Sequence, residues 1–254
     1  SWNVAAMSDS MSVQNVWCPI VGYLAIDSEN VSRGVAGQIS NLRAVVCHTQ
    51  YGVDQLKASG YAGPAVTFIG HGVDTGLYAP LDKKECRSGF DIKGRDIGNA
   101  FIFGFVGMNQ PRKRLDLVLA YFAAWWKGAG KPENVYLYVH TNFDGYWDVR
   151  QMADYLGIRE CVIRTETGAL PEAQMPALYG ALDVMISCAE GESWGLTSLE
   201  SMACGVPQIA VKCGGMPSWA GDSIYWVEPS FYTYTGNQIN TKRWIASEDD
   251  YITA

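Results

Sequence analysis

An α/β fold with parallel sheets, divided into two lobes, is what the sequence predicts. Three observations predict it. Short apolar runs of strand length alternate with stretches of helical period along most of the 254 residues. That alternation breaks once, over Tyr78 to Asn99, a segment rich in charge and glycine that carries Pro80 and reads as a linker. A 48% hydrophobic content with 18% charged residues supplies a core for two compact units. The expected units are 1–97 and 98–254.

The elements follow in order. Ile20 to Ile26 is a nearly continuous apolar run, as in a buried strand. Ala44 to Cys47 is a second strand. Thr49 caps a helix carrying Val53 and Leu56, which stops at Gly60. Val66 to Ile69 is a third strand, followed by Gly70-His71-Gly72. Past the linker, Phe101 to Val106 is a strand. Leu115, Val118, Leu119, Phe122, Trp125 and Trp126 then recur at helical spacing on one face. At that spacing the two tryptophans belong to a core. Val135 to Val139 is a strand, Val149 to Leu156 a helix stopped by Gly157, and Cys161 to Ile163 a strand. Met175, Leu178, Tyr179 and Leu182 form a helix stripe before the strand Val184 to Ile186. Leu196 to Ala203 is a helix ended by Gly205-Val206-Pro207. Ile209 to Val211 and Ile224 to Val227 are the last strands. Strand–helix alternation implies right-handed crossovers and a sheet covered on both faces. Ligands of such sheets bind at the carboxyl ends of the strands, so function belongs to the loops there.

Composition excludes several classes. A net charge of −7 repels phosphate backbones, so a general nucleic-acid partner is not expected. No apolar run reaches the ~20 residues of a membrane helix. The seven cysteines are scattered, without a C-x-x-C pair, and read as reduced thiols of a cytoplasmic protein. His48, His71 and His140 lack ligand-like spacing and no D-x-D pair occurs, so no metal is expected. No G-x-G-x-x-G occurs either, which argues against a nicotinamide enzyme. The chain starts at Ser1, and Ser247 caps an acidic first turn with four residues left to form a helix. Both ends read as cuts in a longer protein.

Chemistry concentrates in the segment Ser187 to Pro207, which leaves a strand and enters a helix. The amides of Trp194, Gly195 and Leu196 at the helix start form an anion site aided by the helix dipole. Gly195 allows close approach of a ligand. Glu192 precedes this nest and Glu200 lies about one turn inside the helix. Carboxylates only accept hydrogen bonds, so the pair suits vicinal hydroxyls on either side of a phosphate. The ligand this describes is a nucleotide sugar. A second strand-to-helix turn, Gly107 to Asp116, carries Arg112, Lys113 and Arg114, three adjacent cations able to close over a diphosphate. Ile26-Asp27 ends the first strand, where Asp27 either caps a loop or acts at the site.

Glu192 and Glu200 with seven residues between them, followed by Ala203-Cys204-Gly205-Val206-Pro207, resemble the E-x7-E signature of retaining family 4 glycosyltransferases of the GT-B fold. The segment Ile69 to Pro80 looks like that family's hinge. The resemblance implies two Rossmann-like lobes, the N-terminal one partial here, with the donor bound in the C-terminal lobe. It implies a hexosyltransferase-type enzyme that moves a sugar from a nucleotide-diphosphate donor to an acceptor hydroxyl with retention, without cofactor or metal. The catalytic set it implies is Glu192, Lys113 and Asp27. The donor-binding set is Glu200, Arg112, Ser193, Trp194, Gly195, Leu196 and Gly107. Lys113 matches the family lysine of the diphosphate loop. The family arginine is Met108 here, with Arg112 as the candidate substitute. The family histidine before the aspartate is Ile26. The acceptor is a glycan, lipid or protein left open by the sequence. Alternatives are a nucleotide-sugar-binding fragment without transferase activity and a GT-B nucleotide-sugar epimerase.

Overall fold

A computed structural model describes residues 19–40, 42–88, 97–164, 170–235 and 240–253. The N-terminal lobe has a three-stranded parallel sheet of β1 (Val21–Leu24), β2 (Ala44–Cys47) and β3 (Val66–Phe68), in the order β1-β2-β3. Helix α1 (Arg33–Gln38) starts at Ser32, whose hydroxyl accepts from the Val35 amide. Helix α2 (Gln50–Ala58) starts at Thr49, which accepts from the Gly52 amide. Leu24, Val45 and Cys47 on the strands meet Ile39, Leu42, Val53 and Leu56 in a closed apolar cluster. Ile26 belongs to that cluster and lies outside the strand, which is shorter than the Ile20 to Ile26 run predicted.

The predicted linker is more ordered than its composition suggests. It contains α3 (Lys83–Ser88), which buries Arg87. The Arg87 guanidinium donates to the carbonyls of Ala181, Gly98 and Ala100 and to Asp183 at 2.6 Å. A cation taken from water needs such a full set of acceptors. Burial opposes ionisation of Asp183, but hydrogen bonds from Lys83, the Ile102 amide and Arg87 prevail and hold its carboxyl below the ordinary value. Charge here marks a docked helix, where a hydrophilic spacer was expected.

The C-terminal lobe continues with β4 (Phe101–Val106), α4 (Leu115–Gly128), β5 (Val135–His140), α5 (Val149–Leu156), β6 (Val162–Ile163), α6 (Met175–Gly180), β7 (Val184–Ser187), α7 (Leu196–Ala203), β8 (Gln208–Val211), α8 (Pro217–Ala220) and β9 (Tyr225–Val227). Its six strands are all parallel, in the order β6-β5-β4-β7-β8-β9. The α4 stripe is buried at Leu115, Val118, Leu119 and Phe122, with Trp125 and Trp126 packed against the same core. Each such side chain contributes about 1.5–3 kcal/mol on burial. The opposite face of the sheet is covered by α6 through Leu178 and Tyr179.

The sequence pattern did not indicate the antiparallel hairpin β10 (Phe231–Tyr234) and β11 (Lys242–Ile245). The last helix, α9 (Glu248–Ile252), begins at Ser247, which accepts from the Asp250 amide. It is held by Tyr251, whose buried hydroxyl accepts from the Ser187 amide and donates to the Ile209 carbonyl. Tertiary packing therefore supports a turn too short to persist alone.

Candidate functional site between the lobes

The strand order reverses direction between β4 and β7, and a doubly wound sheet binds ligands outside the carboxyl ends at that switch point. The two chemistry-bearing loops leave these two strands. Their contact is direct: the Glu190 amide donates to the Arg112 carbonyl at 3.1 Å. Pro111 to Lys113 form one 3-10 turn, and Arg114 takes a left-handed conformation (φ 48°) as α4 begins. This break in the helix separates Arg114 from Arg112 and Lys113, which share Glu192.

Lys113 Nζ lies 2.5 Å from Glu192 Oε1, and Arg112 Nη1 lies 2.9 Å from Glu192 Oε2. Arg112 Nη1 also donates to the Gly191 carbonyl at 2.6 Å, and Arg112 Nε faces Asp27 Oδ2 at 3.3 Å. Arg114 turns away to Asp116 and Glu190. Burial favours the neutral form of Glu192. The charges of Lys113 and Arg112 and their hydrogen bonds outweigh it, so its carboxyl lies below the ordinary value. Glu192 is therefore an acceptor-only group at neutral pH.

Helix α7 starts at Gly195 with φ 79°, a conformation open to glycine, and no side chain caps it. The amides of Leu196 and Thr197 stand in its first turn, where intrahelical acceptors are lacking, and both residues line the cleft. The Ser193 hydroxyl is buried without a partner among the described residues. Trp194 stacks on Trp219 with ring centroids 5.0 Å apart and meets His71 edge-on at 5.8 Å. It thus joins the two lobes at the cleft floor.

One cavity of about 850 Å³ collects these groups. Glu192, Lys113, Asp27, Arg112, Ser193, Trp194, Gly195, Leu196 and Gly107 all line it. Glu200 stands apart from the lining. Its Oε2 accepts from the Tyr179 hydroxyl at 2.7 Å, and burial, with the nearby Glu172 charge, raises its carboxyl above the ordinary value. Met108, where the family has arginine, is 68% exposed at the rim. Ile26 is buried in the N-terminal core, while Asp27 reaches the cleft and is shared between Arg112 and Arg243.

Sequence reasoning missed other wall residues. His48, His71 and His140 follow or end β2, β3 and β5, and all three line the cavity. Their positions at strand ends carry the signal, whereas their spacing along the chain does not. The His48 and His71 rings lie 4.5 Å apart, and burial, with His71 beside it, lowers the His48 pKa. Arg164 stands at the far wall, 4.7 Å over the Phe143 ring. Outside the lining, Arg243 arrives from β11 to meet Asp27, over two hundred residues away in sequence, with no local sequence signal. Among the described residues no group of three or more His, Cys, Asp or Glu could hold a metal ion. No described helix is long and apolar enough to cross a membrane.

A doubly wound parallel sheet, an uncapped helix start and a cation–carboxylate cluster at the switch point fit an α/β architecture of GT-B type. The chain belongs to the family described as Glycosyl transferases group 1, whose profile matches residues 90–233. It is 31% identical over 185 residues to D-inositol 3-phosphate glycosyltransferase of Segniliparus rotundus, covering 71% of this chain and 39% of the relative. The chain thus spans about two fifths of the length of that curated relative. Among solved structures, Alr3699/HepE of Anabaena in complex with UDP-glucose matches with a TM-score of 0.66 at 20% identity, over 84% of this chain and 58% of the other. Alpha,alpha-trehalose 6-phosphate synthase of Burkholderia multivorans matches with a TM-score of 0.68 at 12% identity, over 89% and 59%. These structural likenesses show the fold.

Proposed function

We propose that this chain binds a nucleotide-diphosphate sugar in the cleft and is the working part of a retaining glycosyltransferase. The observation that carries the proposal is the Lys113–Glu192–Arg112 cluster facing the uncapped start of α7 across the switch point. The diphosphate lies against Arg112, Lys113 and the Leu196 and Thr197 amides. These donors are in place before the reaction and stabilise charge that develops as the sugar–phosphate bond breaks. Glu192 accepts from hydroxyls of the transferred sugar, and Glu200 serves the ribose if the Tyr179 contact yields to it. The acceptor oxygen bonds to the anomeric carbon on the face the phosphate leaves, and its proton passes to the departing phosphate oxygen. No metal or cofactor enters this scheme. The N-terminal wall of Ala25, Asp27, His48 and His71 receives the acceptor, a hydroxyl of a polyol phosphate, glycan, lipid or protein. The curated relative's name supports a sugar-alcohol phosphate. Cys47, Cys86, Cys188, Cys204 and Cys213 are free and buried, which supports a reducing compartment such as the cytoplasm.

The test is a transfer assay with UDP- and GDP-sugars and an acceptor panel that includes an inositol phosphate, with product stereochemistry read by NMR. A product of retained configuration supports the proposal. An inverted product contradicts it. Sugar released with inversion at C2 identifies the epimerase reading instead, and binding without any product identifies a binding fragment.

A further inference from the structure

Eight charges of alternating sign form one chain: Lys113, Glu192, Arg112 and Asp27, which line the cavity, then Arg243, Glu190, Arg114 and Asp116, which lie outside its lining. Their successive closest approaches are 2.5, 2.9, 3.3, 3.0, 3.8, 3.5 and 2.8 Å. Only Asp27 belongs to the N-terminal lobe. Its Oδ1 takes Arg243 Nη2 and its Oδ2 takes Arg112 Nε, so one carboxylate of that lobe is divided between two arginines of the other.

Arg243 is placed there by β11, not by a helix or strand of the large sheet. The residue before it, Lys242, exchanges two backbone hydrogen bonds with Glu29, at 3.0 and 3.1 Å. The residue after it, Trp244, donates from its indole to Glu29 Oε1 at 2.8 Å. The hairpin is therefore stitched to the N-terminal lobe on both sides of Arg243. Gly191 shows how tight the junction is: an added Cβ would stand 2.1 Å from the Asp27 carbonyl oxygen and 3.0 Å from Arg243 Nη1.

We propose that Arg243 is a positioning residue for the diphosphate-binding cation Arg112, acting through Asp27. This rests on the function proposed above. A carboxylate and a guanidinium left to themselves favour a two-point fork. With Oδ1 occupied by Arg243, Asp27 holds Arg112 by Nε alone. Nη1 is then directed to Glu192 and the Gly191 carbonyl, which holds the guanidinium at the cavity lining, where it meets a phosphate. Without Arg243, both Asp27 oxygens turn to Arg112 and draw its guanidinium toward the N-terminal lobe. Arg243 also places the hairpin's contribution to lobe apposition and the donor grip under one contact.

The experiment titrates the 254-residue chain with UDP, GDP and the two nucleosides alone, in parent, Arg243→Gln, Arg243→Lys, Asp27→Asn and the double variant Asp27→Asn/Arg243→Gln. The expected result is diphosphate binding about 5- to 20-fold weaker in Arg243→Gln, with nucleoside affinity unchanged, a coupling of ordinary size between linked sites. Arg243→Lys restores most of the loss. The double variant is no weaker than the weaker single one, because both changes cut the same connection. Equal diphosphate binding by parent and Arg243→Gln overturns this proposal and leaves the proposed function standing. Equal losses for diphosphate and nucleoside, or additive losses in the double variant, overturn it in favour of a purely structural role. A parent that binds neither diphosphate overturns both. Amide exchange at Glu29 and Lys242, faster in Arg243→Gln, reads the lobe contact separately from any ligand.

Discussion

At the scale of residues, Glu192 sits where two cations and two lobes meet. Its lowered carboxyl pKa has a consequence for acid stability. Above 4.5, the ordinary glutamate value, the charge is present in folded and unfolded chains, and its pairing with Lys113 and Arg112 contributes fully. As pH falls below that value the unfolded chain takes up the proton first, and the contribution is lost as pH passes the lower folded value. Glu192→Gln is expected to flatten the acid limb of a pH–stability curve below 4.5, and thermal melts at stepped pH check it. In ligand binding, Glu192→Ala is expected to weaken a sugar-bearing donor roughly tenfold or more and the bare diphosphate less, since a hydrogen bond to a charged group is worth ~1.5–3 kcal/mol. Glu200→Ala provides the contrast. If it leaves nucleotide diphosphates bound as in the parent, the Tyr179 hydrogen bond is the whole role of Glu200, and the ribose needs another partner. Glu192, Lys113 and the glycine at 195 were legible because motif chemistry is local in sequence. Arg243 was not, because its partner is brought to it only by the chain's tertiary path.

At the scale of elements, the start of α7 carries the design. A left-handed Gly195 turns the chain from the β7 loop into a helix that has no side-chain cap, so its first amides remain for an outside acceptor. Gly195→Ala places a Cβ about 2.5 Å from Met216 Sδ as well as demanding a positive φ. A loss of more than ~1 kcal/mol of stability is expected, together with weaker phosphate binding. Chemical denaturation and phosphate titration of the same variant measure the two effects. Alternation of strand and helix was readable from apolar periodicity, and the buried face of α4 falls where that periodicity put it; β1 and β3, expected to be covered on both faces, instead leave Val21, Tyr23 and Phe68 exposed. The hairpin β10–β11 escaped because its strands are short, half-exposed and lack an apolar alternation. Helix α3 escaped because its stabilising contacts are made by Arg87 and Lys83, and a charged stretch looks the same on a spacer as on a docked helix.

At the scale of the whole molecule, the cleft is closed by charge and aromatic contact. Asp27 and Glu29 of one lobe meet Arg112, Arg243 and Lys242 of the other, while Trp194 spans from Trp219 to His71. Ion pairs part-exposed at such a seam are screened as salt rises. Raising ionic strength is therefore expected to weaken lobe apposition, read by small-angle scattering or amide exchange, before it unfolds either lobe. In the proposed reading, the lobe that takes the donor presents a six-stranded sheet with both loops of the switch point, whereas the lobe facing the acceptor presents three described strands. Transfer requires an acceptor oxygen ~3–3.5 Å from the anomeric carbon, and misplacement by about 1 Å costs ~10²-fold. This chain by itself is expected to bind donor and to transfer sugar slowly but measurably, which parallel binding and turnover assays decide.

The most direct measurement is calorimetric titration of UDP- and GDP-sugars into the parent chain and Lys113→Ala at low and moderate salt. Lys113 stands 2.5 Å from Glu192 at the cavity wall and touches no other described acidic partner. The account predicts one-site binding of at least one nucleotide sugar by the parent. It predicts a roughly tenfold or larger loss in Lys113→Ala that narrows as salt rises, with nucleoside affinity preserved. No binding of any nucleotide sugar by the parent, or equal binding by the two chains, would contradict it.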